Sequence, residues 1–322
     1  MSTTQHPERK TMSRKFLKVA AAAAGLVLAL TACSSGSSQP AASADANTIR
    51  IGVSPVPHAE IIKFVADGQA KDAGLKIEVT EFQDYVQPNV ALNDGSLDAN
   101  YFQHKPYLDE QVKQNGYKFA VITPVHLEPL GVYSQKVKDL NSLPTGGKIG
   151  VPNDPSNEAR ALKLLHDNGV IQLKDPNNLN ATPLDIAQNP KNLTFSELEA
   201  AQLTHSLPDL DAAVINGNYA LQANLTPSKD AIAVEKAEGN PYANVLVVKE
   251  ADANKPSLKK LGELLCSQAT KDFINQKYQA RSSRPAEAFV RTVFAAAVTF
   301  GWRPPLRVRS RSVPPTPGGC LR

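Results

Sequence analysis

Short β-branched runs alternate with longer stretches of helical periodicity along most of the chain. Ile49-Arg-Ile-Gly-Val53 reads as a strand, and Pro55 to Pro57 turn the chain. His58 to Ala73 follows with Ile61, Ile62, Val65 and Ala66 on one face and Gly74 as its stop, the pattern of an amphipathic helix. Lys76 to Phe82 alternates as a second strand, and Val86 to Leu92 is a short helix. Leu97 to Phe102 leads to a third strand, with a helix over Lys105 to Asn115. This β-α-β-α-β order predicts a parallel sheet covered by helices. Phe119 to Tyr133 is apolar but broken by Pro124 and Pro129, which predicts an extended crossing segment rather than a central strand. A new βα unit opens at Lys148-Ile-Gly-Val-Pro152, with a helix over Asn157 to Asn168 and Ala161, Leu162, Leu164 and Leu165 inward. Ala212 to Ile215, Ala231 to Val234 and Val245 to Val248 read as buried strands, and Leu258 to Tyr278 as a closing helix. No repeat of fixed period and no second linker appear. The pattern predicts an α/β protein of two lobes joined by extended crossings.

The ends differ from this body. Arg14, Lys15 and Lys18 precede an apolar run from Val19 to Leu30, too short to span a bilayer and suited to a signal peptide over residues 1–32. The run ends in Leu30-Thr31-Ala32-Cys33, which resembles a bacterial lipobox and makes Cys33 the expected lipidation site. Residues 33–46, rich in Ser, Ala, Gly and Pro, read as a flexible tether. These features predict a lipid-anchored protein on the extracytoplasmic face of the cell membrane. Of the formal net charge of +4, residues 1–32 carry +4 and residues 280–322 carry +7, which leaves −7 for residues 33–279. An acidic body gives no reason to expect a nucleic-acid partner. Cys33, Cys266 and Cys320 form neither a disulfide framework nor a metal-ligand spacing, and Cys266 sits in a helical apolar pattern as an expected core residue.

Catalytic signatures are missing: there is no nucleophile elbow, no His-Glu-x-x-His and no phosphate-cradling glycine loop. Binding chemistry is better represented. Arg160 is the only arginine between Arg50 and Arg281, placed in the first turns of a helix. Its planar fork suits a carboxylate, and a helix start favours an anion. The plain alternative is a solvated surface arginine. Asn153 and Asn157 can meet a ligand or cap that helix. Asn216 directly follows a buried strand, where loops of α/β sheets meet ligands, though a turn asparagine is equally ordinary there.

Several strings in order resemble one family: Ile51-Gly-Val-Ser-Pro-Val-Pro-His-Ala-Glu60, Glu81-Phe-Gln-Asp-Tyr85, Asn100-Tyr-Phe-Gln-His104 with Pro106-Tyr107-Leu108, His126-Leu-Glu-Pro129, Val151-Pro-Asn-Asp-Pro-Ser-Asn-Glu-Ala-Arg-Ala161, and Ala213-Val-Ile-Asn216 with Tyr219-Ala220. Over residues 47–279 the chain is similar to the NlpA family, the methionine-binding lipoproteins of ABC importers. The resemblance implies a two-lobed periplasmic-binding-protein fold of type II, a mixed sheet flanked by helices in each lobe, and a ligand in the cleft between them. Lobe 1 is expected over 47–125 and 235–279, and lobe 2 over 126–234. It implies capture of a free amino acid, L-methionine first, without a cofactor, and delivery to a membrane permease. Another amino acid or a dipeptide on the same scaffold, or a surface adhesin, are the alternatives. Arg160, Asn216, Asn157 and Asn153 become expected ligand contacts. Tyr85, Phe102 and His104 become an aromatic box for the thioether, since sulfur packs well beside rings. Phe102 as plain core and His104 as a helix cap are the ordinary readings. His126, on the crossing segment, is the last expected contact.

Residues 280–322 hold eight Arg, one Glu and no Lys, with Pro304-Pro305, Pro314-Pro315 and Gly318-Gly319. Such a composition predicts a disordered or non-native tail. Reading Gln279-Ala-Arg-Ser-Ser-Arg-Pro-Ala-Glu287 one base back permits Gly-Ser-Val-Ile-Pro-Ala, the ending the resemblance implies, so a frameshift near codon 280 is expected.

Overall fold

The computed structural model describes residues 47–279; the expected signal peptide, Cys33, the tether and the tail lie outside the described residues. No helix among the described residues is long and apolar enough to cross a membrane.

Strand β1 (Thr48–Val53) buries Ile49, Ile51 and Val53. Gly52 in it is closely packed: a Cβ there would stand 2.5 Å from Leu97 Cδ1, so Leu97 would have to shift. The expected helix over His58 to Ala73 is present but irregular. An irregular turn over Pro55–Ala59 carries His58, α1 spans Glu60–Val65, and a π-helical stretch covers Ala66–Ala70. β2 (Lys76–Glu81), α2 (Gln87–Asp94), β3 (Ala99–His104) and α3 (Lys105–Asn115) follow. His104 caps α3, its Nδ1 accepting from the Tyr107 amide at 3.1 Å.

The proline-bearing segment departs from expectation. Phe119–Leu127 is a strand, β4, but at the edge of its sheet, where a residue without an N–H is tolerated. Its register slips against its neighbour beside Pro124. After Glu128, Pro129 and Leu130 the chain enters β5 (Gly131–Tyr133). β6 (Lys148–Pro152) and α4 (Pro155–Asp167) form the expected βα unit. The cap of α4 is Asp154, whose Oδ1 accepts from the Asn157 amide at 3.0 Å, rather than Asn153 or Asn157. Ala161, Leu162, Leu164 and Leu165 are buried as their spacing predicts.

A small ribbon, β7 (Gln172–Leu173) with β8 (Ile186–Gln188), and strand β9 (Thr194–Leu198) are additions; they are too short and polar to stand out in the sequence. α5 (Leu203–Ser206), β10 (Ala212–Ile215), α6 (Gly217–Gln222), α7 (Pro227–Asp230), β11 (Ala231–Val234) and β12 (Ala243–Lys249) complete the alternation. The closing helix is two: α8 (Pro256–Leu265) and α9 (Gln268–Ile274), divided where Ser267 accepts from the Thr270 amide and restarts the helix. Cys266, at that break, is half-buried rather than in the core, its Sγ 3.1 Å from Thr123 Oγ1.

The strands assemble into two five-stranded mixed sheets, β2-β1-β3-β12-β4 and β11-β5-β10-β6-β9. In the first, β2, β1 and β3 run parallel and β12 runs antiparallel between β3 and β4. α1, α8 and α9 close it with Ile61, Ile62, Leu258, Leu261 and Ile274. In the second, α4 covers β6 with Leu162 and Leu165. The chain passes between the sheets twice, through residues 128–130 and 235–242. The two passages are tied together: Glu235 N donates to Leu130 O at 2.9 Å, and Leu130 N donates to Glu235 Oε2 at 3.2 Å.

Candidate binding cleft

Between the sheets lies a cleft walled by both. Its first side carries Tyr85, Phe102, Gln103, His104 and Tyr107; its second carries Asn157, Arg160, Asn216, Gly217 and Asn218; Glu128 and Asn244 complete it. Six of the eight expected site residues are therefore together: Tyr85, Phe102, His104, Asn157, Arg160 and Asn216. Asn153 is not among them; it is exposed, its amide spent on Leu198 O at 2.9 Å. His126 is buried behind the wall rather than in it.

α4 supplies Arg160, only 4% exposed and fully engaged along one edge. Nε donates to Glu235 Oε1 at 2.9 Å, and Nη2 donates to Glu235 Oε2 at 2.5 Å and to the Glu128 carbonyl at 2.9 Å. Its carbon lies 4.3 Å from the Tyr242 ring centroid. Burial works against the guanidinium, but Glu235 outweighs it and keeps the cation charged. Among the described hydrogen bonds none uses Nη1, the edge left for a ligand. The sequence offers the whole fork to a ligand; in the structure half of it belongs to Glu235.

His104, Asn157 and Asn216 form a chain. Because His104 Nδ1 accepts from Tyr107, Nε2 carries the hydrogen and donates to Asn157 Oδ1 at 3.0 Å. Asn216 Nδ2 donates to the same oxygen at 2.8 Å, and Asn157 Nδ2 donates to the Asp154 carboxylate at 2.9 Å. Burial, aided by Arg160, drives His104 down to about 3, so the imidazole is neutral. This arrangement leaves Asn216 Oδ1 buried without a partner. Across the cleft Tyr85 donates its hydroxyl to Asn218 Oδ1 at 2.5 Å, leaving Asn218 Nδ2 likewise buried and unpaired. Tyr219 donates to the Gln83 carbonyl at 3.1 Å. Tyr85 stands 5.9 Å from Phe102 and 5.8 Å from Tyr107 by ring centroids, an aromatic patch within the cleft wall.

Glu128 was not anticipated. Its Oε1 accepts from His126 Nε2 at 2.8 Å and lies 3.2 Å from His58 Nε2, while Oε2 takes no hydrogen bond among the described residues and lies beside Gly217. Burial alone would raise this carboxyl, but His58, the His126 hydrogen bond and Arg160 hold it below the usual range. His58, His126 and Glu128 are the one group among the described residues with the donor set for a metal, their atoms within 4.8 Å of one another. The Glu128 carboxylate faces both Nε2 atoms and the Asn244 amide oxygen also faces that of His58, so hydrogens occupy these nitrogens and the cluster is a hydrogen-bonded one. Asn218, Tyr107 and Asn244 were also missed as site residues, although Tyr107 stands in the string Pro106-Tyr107-Leu108 and Glu128 in His126-Leu-Glu-Pro129.

Two mixed α/β sheets, crossed twice by the chain and enclosing a polar, aromatic cleft, define a two-lobed binding protein of the periplasmic type. Comparison with known proteins specifies it further. The model of the NlpA lipoprotein family matches residues 49–286, and the chain belongs to that family. A probable D-methionine-binding lipoprotein MetQ of Vibrio cholerae is 44% identical over 241 residues, 75% of this chain and 86% of that protein. The D-methionine-binding lipoprotein MetQ of Escherichia coli is 42% identical over 272 residues, 83% of this chain and 97% of that protein. Among solved structures, a nutrient binding protein from Burkholderia cenocepacia bound to methionine is 51% identical, covers 72% of this chain and 98% of its own, and superposes with a TM-score of 0.70.

Proposed function

We propose that the protein is an extracytoplasmic substrate-binding lipoprotein that captures methionine and hands it to the permease of an ABC importer. The observation that carries this reading is a cleft holding opposite, unspent polar groups beside an aromatic wall. Arg160 Nη1 is a cationic donor without a partner in the described hydrogen bonds, while Asn216 Oδ1 is a buried acceptor without one. A free amino acid carries a carboxylate for the first and an ammonium for the second, with Glu128 Oε2 as its counter-charge. Tyr85, Phe102, Tyr107 and His104 offer a polarisable surface to a thioether. The names of the relatives agree with this ligand.

Lipidation of Cys33 would hold the protein at the membrane through residues 33–46. Contacts from both sheets to one ligand favour the closed arrangement of the lobes, which the permease reads. No bond is made or broken, so the protein is a carrier and not an enzyme. Calorimetric titration of ligand-stripped protein with L- and D-methionine tests the reading. Saturable one-to-one binding of either enantiomer supports it. Binding only of another amino acid or of a dipeptide keeps the scaffold and overturns the ligand.

A further inference from the structure

The cluster behind the cleft wall has a geometry that direct ligand contact does not explain. Two imidazoles, on different segments, converge on a single oxygen of one carboxylate. His58 comes from the turn after β1 and His126 from the edge strand β4; both aim Nε2 at Glu128 Oε1, at 3.2 Å and 2.8 Å. Each is held in turn: His58 Nε2 also meets Asn244 Oδ1 at 3.2 Å, and His126 Nδ1 pairs with the Tyr101 hydroxyl at 2.5 Å. The rings pack edge to face, His58 on Tyr101 at 4.7 Å and on His126 at 5.1 Å. From the opposite side Gly217 closes on Glu128, where a Cβ would stand 2.9 Å from Glu128 Cβ. The carboxylate is thus held through Oε1 and Cβ, while Oε2 takes no described hydrogen bond in the cleft that Asn216 also lines.

We propose that His58 and His126 are positioning residues: the His126 hydrogen bond and the His58 Nε2, 3.2 Å away, hold Glu128 Oε1 and turn its Oε2 to the ligand's ammonium group. A carboxylate buried this deeply without donors would take up a proton and lose its hold on a cation. The inference rests on the amino-acid-binding reading above and assigns the recognition of the amino end of the ligand.

The test compares methionine with its des-amino analogue, 4-(methylthio)butanoate, on the full-length protein in detergent. The readout is the ratio of the two dissociation constants. The wild-type ratio should be large. Removing the donors one at a time, with His58→Leu and His126→Leu, should weaken methionine by about tenfold or more while leaving the analogue within about twofold, so the ratio falls. Glutamine places an amide N–H near the position of Nε2, so His58→Gln and His126→Gln should keep most of the wild-type ratio. Melting curves confirm that each variant is folded, and the analogue's own affinity confirms that the cleft is intact. If the leucine variants weaken both ligands alike, the imidazoles are merely structural and the inference falls. A wild-type ratio near one also overturns it, since Glu128 then contributes nothing to the ammonium. Failure of the folded wild-type protein to bind methionine or any other free amino acid overturns the functional reading itself, and this inference with it.

Discussion

At the scale of single residues, the cleft is read most clearly through what each polar group has left to give. Arg160 is shared: its Nε and Nη2 edge holds Glu235, while Nη1 takes no described hydrogen bond in a side chain that lines the cleft. Arg160→Ala therefore removes the proposed ligand contact and strands a buried carboxylate. Methionine affinity should fall by about tenfold to a hundredfold, the equivalent of about 1.5–3 kcal/mol for a hydrogen bond to a charged group, as read by titration calorimetry. Arg160→Lys should recover little of it, because a point charge cannot serve Glu235 and the ligand in one plane. How much of this was visible in the sequence depends on the residue. Arg160 stood out because arginine is rare in the body, and Asn216 because it follows a buried strand. Glu128 did not, since nothing local distinguishes a glutamate before a proline from a surface one. Its role arises from His58, which lies 70 residues earlier in the chain, and no spacing rule connects such pairs. Asn153 misled for the opposite reason: it occupies the right loop, but the strand-to-helix turn directs it outward and gives the cap to Asp154.

At the scale of elements, alternation and helical periodicity located the strands and helices that bury apolar side chains, such as β1, β6, β10, β12 and α4. They failed where an element sits at an edge or is held by tertiary contacts. β4 was read as a crossing because of Pro124, although an edge strand tolerates it. β9 was invisible because Thr194-Phe-Ser-Glu-Leu198 carries too few apolar residues to mark a strand. The start of α6 shows how closely an element must fit the cleft. Gly217 begins this helix against Glu128, and a methyl group there would meet Glu128 Cβ at 2.9 Å, closer than real contacts allow. Gly217→Ala should push Glu128 and α6 apart, at a cost of about 1–3 kcal/mol in stability. Methionine affinity should drop more than the melting temperature alone implies, which paired titration and thermal denaturation would reveal. An alanine variant that binds normally would show that this approach is looser than the structure indicates.

At the scale of the whole molecule, the buried histidines tie stability to pH. Burial drives His58 down to about 4 and His104 down to about 3, both from 6.5. Below pH 6.5 the unfolded chain binds two protons that the folded protein refuses, so stability is lost as the pH falls towards these values. Each histidine contributes a slope of about 1.4 kcal/mol per pH unit. Glu158 opposes them. Burial, with Glu197 and Asp154 nearby, raises it to about 7 from 4.5, so the folded protein holds one extra proton between these values. One proton offsets one of two, which leaves a net loss from pH 6.5 to 4.5 and a steeper one below 4.5. Glu128, held below the usual carboxylate range, adds to the loss at the acid end. Thermal denaturation across pH 4 to 8 should show a melting temperature that declines gently below 6.5 and sharply below 4.5; a flat profile would mean that these groups are not buried in solution.

The pairing of Arg160 with Glu235 also bears on how quickly a ligand is taken up. The cleft's one buried arginine is neutralised by a carboxylate 2.5 Å away before anything arrives, so it projects little field into the surrounding water. An amino acid without net charge would then reach the cleft by unaided diffusion. Its association rate constant, followed by stopped-flow fluorescence, should change by less than about twofold between 20 mM and 500 mM salt, where electrostatically steered encounters slow steeply. Such a carrier would gather its ligand equally well in dilute and in salty surroundings.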